Sequence, residues 1–350
     1  MTSMTIEGRV VTGGVDTHGE THHAAVIDEL GRALGDQEFP ANPAGYRALR
    51  DWLISFGTVD KIGIEGTGSY GAGFTQLLQD EFQLVEVDRP NRRARRRQGK
   101  SDALDAYAAA KAALNGDATA TPKARDGAAE MIRMTRIARS SAVKARTQTM
   151  NQLKSLVLTG PSELREQLRG LTPAALIDTC GRLRPGTTRG ASSEQTAKTV
   201  LRRLAQRHQA LTAEIIQADA ELKALIQQTA PALLEIKGVG TDVAGQLLTT
   251  VGDNPERMRT EATFANLCGV APLPASTARS DRHRLSRAGD RQANRAVHVI
   301  VLSRMASDDR TRSYVARRTA QGLAKNDIIR CLKRYVAREL FQTLKPSTAP

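Results

Sequence analysis

Four acidic residues raise the first chemical question. Asp102 and Asp105 stand three positions apart in KSDALDAYAAA (100–110), an alanine-rich stretch that reads as helix. That spacing sends both carboxylates to one side. Asp16 closes an early apolar run, in GVDTH, and Glu65 closes a later one, in IEGTG. Each precedes a small or polar turn, the place where sheet ends present ligands. Taken singly, an acid at a strand end is a solvated loop residue. The set stands out by its order, strand Asp, strand Glu, helix Asp-x-x-Asp, and by what lies beside it. NRRARRRQGK (91–100) places Arg92, Arg93, Arg95, Arg96, Arg97 and Lys100 directly upstream of the helical pair. A free-standing run of that kind is a solvated loop; next to the acids it reads as a grip on a polyanion.

The elements that must position these groups alternate. VTGGVDTH and HHAAVIDE read as strands joined by a tight turn at Gly19, and LGDQEFP as a third. NPAGYRALRDWLISFG carries an Asn42 cap, Pro43 at the first helical position and apolar residues at helical spacing. KIGIEGTG reads as a strand, GFTQLLQDE as a helix and FQLVEVD as another strand. Strands followed by alternating helix and strand predict an α/β domain with a mixed sheet.

After Ala113 the strands stop. Residues 128–158 form a basic amphipathic helix bearing Arg133, Arg136, Arg139, Lys144, Arg146 and Lys154. A Gly/Thr/Ser-rich loop follows at 184–195. Leu201, Leu204, His208, Leu211, Ile215, Ala218, Leu222 and Leu225 then alternate by three and four, the spacing of a coiled coil or a long helical hairpin. From Pro231 two helical stretches flank Lys237-Gly238-Val239-Gly240. This resembles a helix–hairpin–helix element, in which Lys237, Gly238 and Gly240 would meet a phosphate at a helix N-terminus. An ordinary glycine turn is the alternative. The tail AKNDIIRCLKRYVARELFQTL reads as a further basic amphipathic helix.

The chain has 350 residues, a net charge of +14 and only 3% aromatic residues. Such a balance favours a nucleic-acid partner, and the scarcity of aromatics argues against a stacking platform for single strands. Cys180, Cys268 and Cys331 are scattered, which fits a reducing cytoplasm and argues against a disulfide framework. The longest apolar run, VHVIVL (297–302), is too short to span a bilayer, so no membrane partner is expected.

GVDTH, IEGTGSYG and RRRQGKSDALDAYAAA together closely resemble the DEDD transposases with a RuvC-like N-terminal domain. These are the Piv-type DNA invertases and the insertion-sequence recombinases guided by a bridge RNA. LCGVAPLPAS, RAGDRQANRAV and KNDIIRCLKRYVARELF resemble that family's second transposase domain, so the likeness covers nearly the whole chain. It implies an RNase H-like (RuvC-like) metal-binding domain at 1–115, a helical coiled-coil linker at 116–230, and a mostly helical C-terminal transposase domain at 231–350. It implies that Asp16, Glu65, Asp102 and Asp105 hold Mg2+ or Mn2+, and that the partners are DNA, a guide RNA and further copies of the chain, joined through the linker. Hard oxygen ligands suit such ions, and two of them about 4 Å apart clamp the attacking and leaving oxygens of a phosphodiester. His18 would shape that site, His22 and His23 would be ordinary strand residues, and Tyr70 would stack on a base or pack.

The family's C-terminal domain supplies a nucleophilic serine in a Ser-Gly step. Here the sequence reads Pro272-Leu-Pro-Ala-Ser276-Thr277-Ala278-Arg279. Thr277 takes the seat before the expected glycine, and Ala278 takes the glycine's. Three readings stand: Ser276 attacks, Thr277 attacks with a more hindered hydroxyl, or this copy is inactive. Arg279, Arg282, Arg284 and Arg287 would meet phosphate around it, and His283 would be a base or a further phosphate contact. Two rival functions remain, a junction nuclease that uses water and a non-catalytic nucleic-acid-binding remnant of a mobile element.

Overall fold

A computed structural model describes residues 8–87, 101–184, 192–274, 283–285 and 289–345. Two compact units emerge: residues up to 127 together with 251–259, and residues 128–250 together with 260 onward.

The first unit is built on a five-stranded sheet. Its strands are β1 (Val10–Thr17), β2 (Thr21–Asp28), β3 (Ala33–Pro40), β4 (Thr58–Glu65) and β5 (Gln83–Val87), in the order β3-β2-β1-β4-β5. β1–β2 and β2–β3 are antiparallel, while β1–β4 and β4–β5 are parallel. This mixed sheet is consistent with the RNase H-like expectation. α1 (Pro43–Ile54) starts where the sequence predicts, with the Asn42 Oδ1 accepting from the N–H groups of Ala44 and Gly45. With α2 (Ala72–Leu78) it covers one face, burying Leu49, Leu53, Phe74 and Leu78 against Val11, Val15, Ile62 and Ile64. α3 (Asp102–Leu114) covers the other face.

In the second unit α4 (Ala128–Thr159) and α7 (Ser193–Thr229) form a long pair. Leu153 packs with Leu201 and Ala205, and Arg139 pairs with Asp219 at 2.6 Å, so the two helices run antiparallel. The buried positions of α7 begin 197, 201, 205 and resume 215, 218, 222, 226. The stripe therefore includes steps of four where a strict heptad alternates three and four. His208 is half-buried on its margin, and burial together with the nearby Arg146 charge lowers its pKa. α5 (Ser162–Leu168) and α6 (Pro173–Gly181) close one end of the pair through Leu164, Leu168, Leu176 and Ile177. Of the predicted loop at 184–195, residues 185–191 lie outside the described residues, and α7 already begins at Ser193.

α8 (Ala232–Glu235) and α9 (Thr241–Val251) flank the Lys237–Gly240 turn. After α10 (Glu261–Leu267), a short hairpin of β6 (Pro272–Pro274) and β7 (His283–Leu285) precedes α11 (Arg291–Ser307), α12 (Asp309–Ala320) and α13 (Lys325–Leu344). The tail does form the predicted amphipathic helix: Ile328, Leu332, Val336, Leu340 and Phe341 face inward on α13. No described helix is long and apolar enough to cross a membrane.

Candidate metal centre

The centre begins with a pair of glycines. Gly14 on β1 lies opposite Gly63 on β4, and Val15 opposite Ile64. Strand alternation sends Gly14 and Asp16 to one face, and Gly63 and Glu65 to the same face. α3 occupies that face at a distance only glycine permits. A β-carbon on Gly14 would stand 2.1 Å from the Ala106 carbonyl oxygen, and one on Gly63 2.3 Å from that of Ala109. The helix answers with its smallest side chains, for Ala106, Ala109, Ala110 and Ala113 are all buried. Ser101 caps α3, its Oγ accepting from the Leu104 N–H at 3.3 Å. Asp102 and Asp105 then fill the first turn, where the helix dipole favours negative charge.

This packing joins residues 86 positions apart. His18 Nε2 lies 3.2 Å from an Asp16 carboxylate oxygen and 3.3 Å from one of Asp102. One ligand atom from each of Asp16, His18 and Asp102 falls within 4.8 Å of the others, a spacing that suits a single cation. Asp16 forms the floor at 5% exposure, and Asp102 stands at the rim. A buried carboxylate beside an exposed one suits a divalent ion, because buried negative charge needs a compensating cation. Glu65 and Asp105 are not members of that set. Glu65 follows Ile64 at the neighbouring strand end, half-buried, and Asp105 is 3% exposed on the same helical turn as Asp102.

The turn after Glu65 is locked. Thr17 Oγ1 donates to the Glu65 carbonyl at 2.7 Å. Gly66 has φ +79°, and a β-carbon there would meet the same Thr17 oxygen at 2.5 Å. Tyr70 is exposed, its ring beside Gly19. Glu86, also near a strand end, is occupied otherwise: it accepts from Thr67 Oγ1 at 2.7 Å and pairs with Arg257 at 3.2 Å.

Sequence reasoning gives His18 a supporting part, yet its ring nitrogen sits within the ligand set. The signal was present in the spelling Asp-Thr-His, which keeps the ring within two residues of Asp16 at the end of β1. His22 packs as expected, fully buried and stacked on Tyr46 with ring centroids 5.3 Å apart; burial lowers its pKa. His23 pairs with Asp36 at 2.8 Å. Replacing His18 by alanine is expected to weaken Mn2+ binding about ten- to hundredfold, read by calorimetric titration. Unchanged affinity would place His18 outside the coordination sphere.

The other predicted groups divide. Lys237 donates to the Ser307 carbonyl at 2.9 Å and pairs with Asp308 at 3.3 Å, while its own carbonyl accepts from Arg304. The side chain is about half exposed, and its ammonium has a third N–H beyond these two partners. Gly238 has φ +87° and packs against α11, whereas Gly240 opens onto free space before α9. Arg92, Arg93, Arg95, Arg96, Arg97, Lys100, Ser276, Thr277, Arg279, Arg282 and Arg287 lie outside the described residues. Arg284 lies exposed on β7.

Residues 13–160 match a family model described as the transposase of IS110, of the DEDD type. Residues 230–316 match a second, described as Transposase IS116/IS110/IS902 family. By both matches the chain belongs to the IS110/IS902 transposase family. Among curated proteins it is similar to the insertion element IS110 uncharacterized 43.6 kDa protein of Streptomyces coelicolor, at 32% identity over 37% of this chain and 33% of that one. It is also similar to the insertion element IS900 uncharacterized 42 kDa protein of Mycobacterium paratuberculosis, at 26% identity over 43% of this chain and 39% of that one. The matches thus span well under half the length of these curated relatives. The acids Asp16, Glu65, Asp102 and Asp105 all fall inside the first matched segment, and Ser276, Thr277 and Asn294 inside the second.

Proposed function

We propose that the chain is a DNA transposase of an insertion sequence, cutting and rejoining phosphodiesters with a cation held by Asp16, Glu65, Asp102 and Asp105 and a hydroxyl from the C-terminal half. The observation that carries this reading is the convergence of Asp16, His18 and Asp102 where β1 ends and α3 begins. A magnesium or manganese ion bound there would supply Lewis-acid charge to a phosphate oxygen. The buried Asp16 fixes where that charge sits. Asp102, at the rim, lies on the side open to a strand.

The hydroxyl of Ser276 or Thr277 forms a new oxygen–phosphorus bond and gives up its proton. The bridging deoxyribose oxygen leaves with the electron pair and takes up a proton. A second strand's hydroxyl reverses the exchange and releases the protein. Ser276 is the preferred nucleophile, because a primary hydroxyl is less hindered than that of Thr277. The basic run Arg92–Arg97 with Lys100 holds nucleic-acid backbone beside the acids. A guide RNA and assembly of copies along the α4–α7 pair belong to the same reading.

The test uses purified protein, DNA carrying the element's ends and Mg2+, with covalent protein–DNA adduct read on denaturing gels. Ser276→Ala is expected to abolish the adduct and Thr277→Ala to retain it. Strand cleavage that survives both substitutions would replace this reading with a water-using nuclease. DNA binding without cleavage by any variant would replace it with the non-catalytic remnant.

A further inference from the structure

Three stretches of the second half resemble one family signature, yet the proposed chemistry uses only the hydroxyl beside the first. In the structure all three meet. Lys333, from KNDIIRCLKRY, donates to the Asn294 Oδ1 at 2.7 Å. Asn294, from RAGDRQANRAV, donates through its Nδ2 to the carbonyls of Cys268 and Gly269 at 3.1 and 2.9 Å. Those carbonyls belong to LCGVAPLPAS and lie just before β6. Gly289 seals the junction, since a β-carbon there would stand 2.2 Å from the Gly269 nitrogen.

Lys333 is 8% exposed, and its one hydrogen bond among the described residues is to a neutral amide. A buried ammonium without a carboxylate is costly. Burial lowers its pKa accordingly. The side chain borders a cavity of about 300 Å3 between the β6–β7 hairpin and α13. Arg284, Arg330, Arg334, Arg338 and His283 line the same cavity, and no carboxylate of the described residues does. Asp327 pairs with Arg330, and Glu261 with Arg334 and Arg338, from outside it. Arg334 nonetheless keeps its buried Nη1 without a hydrogen-bond partner. A larger cleft of about 1090 Å3 lies among α11, α12 and α13, where Glu261, Asp308 and Glu339 are interspersed with Arg304, Arg310, Arg317 and Arg338.

We infer that this cavity is a phosphate-binding site for a DNA strand, in which Lys333 and the free Arg334 Nη1 face non-bridging oxygens and Arg284 closes the outer side. β6 and β7 bracket the two candidate hydroxyls in sequence. The inference deepens the transposase reading and rests on it for the identity of the polymer. Lys333 acts as a positioning residue, and Asn294 orients it.

The test is fluorescence anisotropy of the full chain with a labelled duplex of the element's end, in EDTA, across a series of KCl concentrations. Lys333→Met is expected to weaken binding about tenfold and to lower the slope of log affinity against log salt by about one. Lys333→Arg is expected to restore the slope. Arg284→Gln, on an exposed strand position that does not threaten folding, is expected to lower the slope by a similar amount. A folded Lys333→Met protein with wild-type slope, or an Arg284→Gln protein with wild-type slope and affinity, would overturn the site. Because EDTA removes the metal, loss of cleavage on its own leaves this inference standing. A wild-type protein that binds no duplex at any salt would overturn both.

Discussion

On the proposed transposase reading, Asp16→Asn is expected to abolish Mg2+-dependent strand cleavage while leaving the fold and the binding of DNA intact. Asp16 is the buried member of the cluster, with His18 3.2 Å away and Asp102 within the same 4.8 Å set. Asparagine keeps the shape of the side chain and one acceptor oxygen but loses the charge. A Lewis acid contributes several kcal/mol to phosphoryl transfer, and each ~1.4 kcal/mol is a factor of ten. A loss of about a thousandfold or more is expected, measured as the initial rate of nicking on supercoiled DNA at saturating Mg2+. EDTA should reproduce the loss in the wild-type protein. Cleavage within about tenfold of wild type would remove Asp16 from the chemistry, and with it the case for a metal at this sheet edge.

The second large effect comes from a residue with no side chain. Gly14→Ala will destabilise the first unit by roughly 3 kcal/mol or more, because its β-carbon has nowhere to go. It would stand 2.1 Å from the Ala106 oxygen and 2.4 Å from the Ala110 nitrogen, both backbone atoms of α3. Flexible side chains can step aside; a helix backbone moves only as a body. α3 must therefore retreat from β1, carrying Asp102 away from Asp16 and His18. Urea denaturation followed by circular dichroism should show an early transition, and Mn2+ binding should weaken in parallel. Gly68→Ala is the control, since a β-carbon there would meet only the Arg125 guanidinium at 3.6 Å. Equal stability of Gly14→Ala and wild type would show that α3 is not seated as described.

Much of this architecture can be read residue by residue from the chain. The Asn42-Pro43 start of α1 and the short apolar runs of β1, β2 and β4 follow from interactions within a few residues. The order of the acids places two at strand ends and two on one helical turn by the same local rules. Other features escaped because no local rule contains them. His18 reads as a supporting residue until Asp102 is brought to it. Lys237 reads as a phosphate contact, and its pairing with Asp308, 71 residues later, is invisible to local spacing. Residues 251–259 belong to the first unit although the helix that leads into them belongs to the second.

The sequence alone therefore determined the five strands of the first unit, the helix starting at Pro43 and the helical turn shared by Asp102 and Asp105, because hydrogen-bond periodicity and capping act between near neighbours. Tertiary structure alone decided which faces meet. It set the Gly14–Gly63 register that lets α3 descend onto the sheet, the partners of His18, and the junction of Cys268, Asn294 and Lys333. Those outcomes depend on side-chain volume and strand register between residues tens of positions apart, and spacing along one chain carries no measure of either.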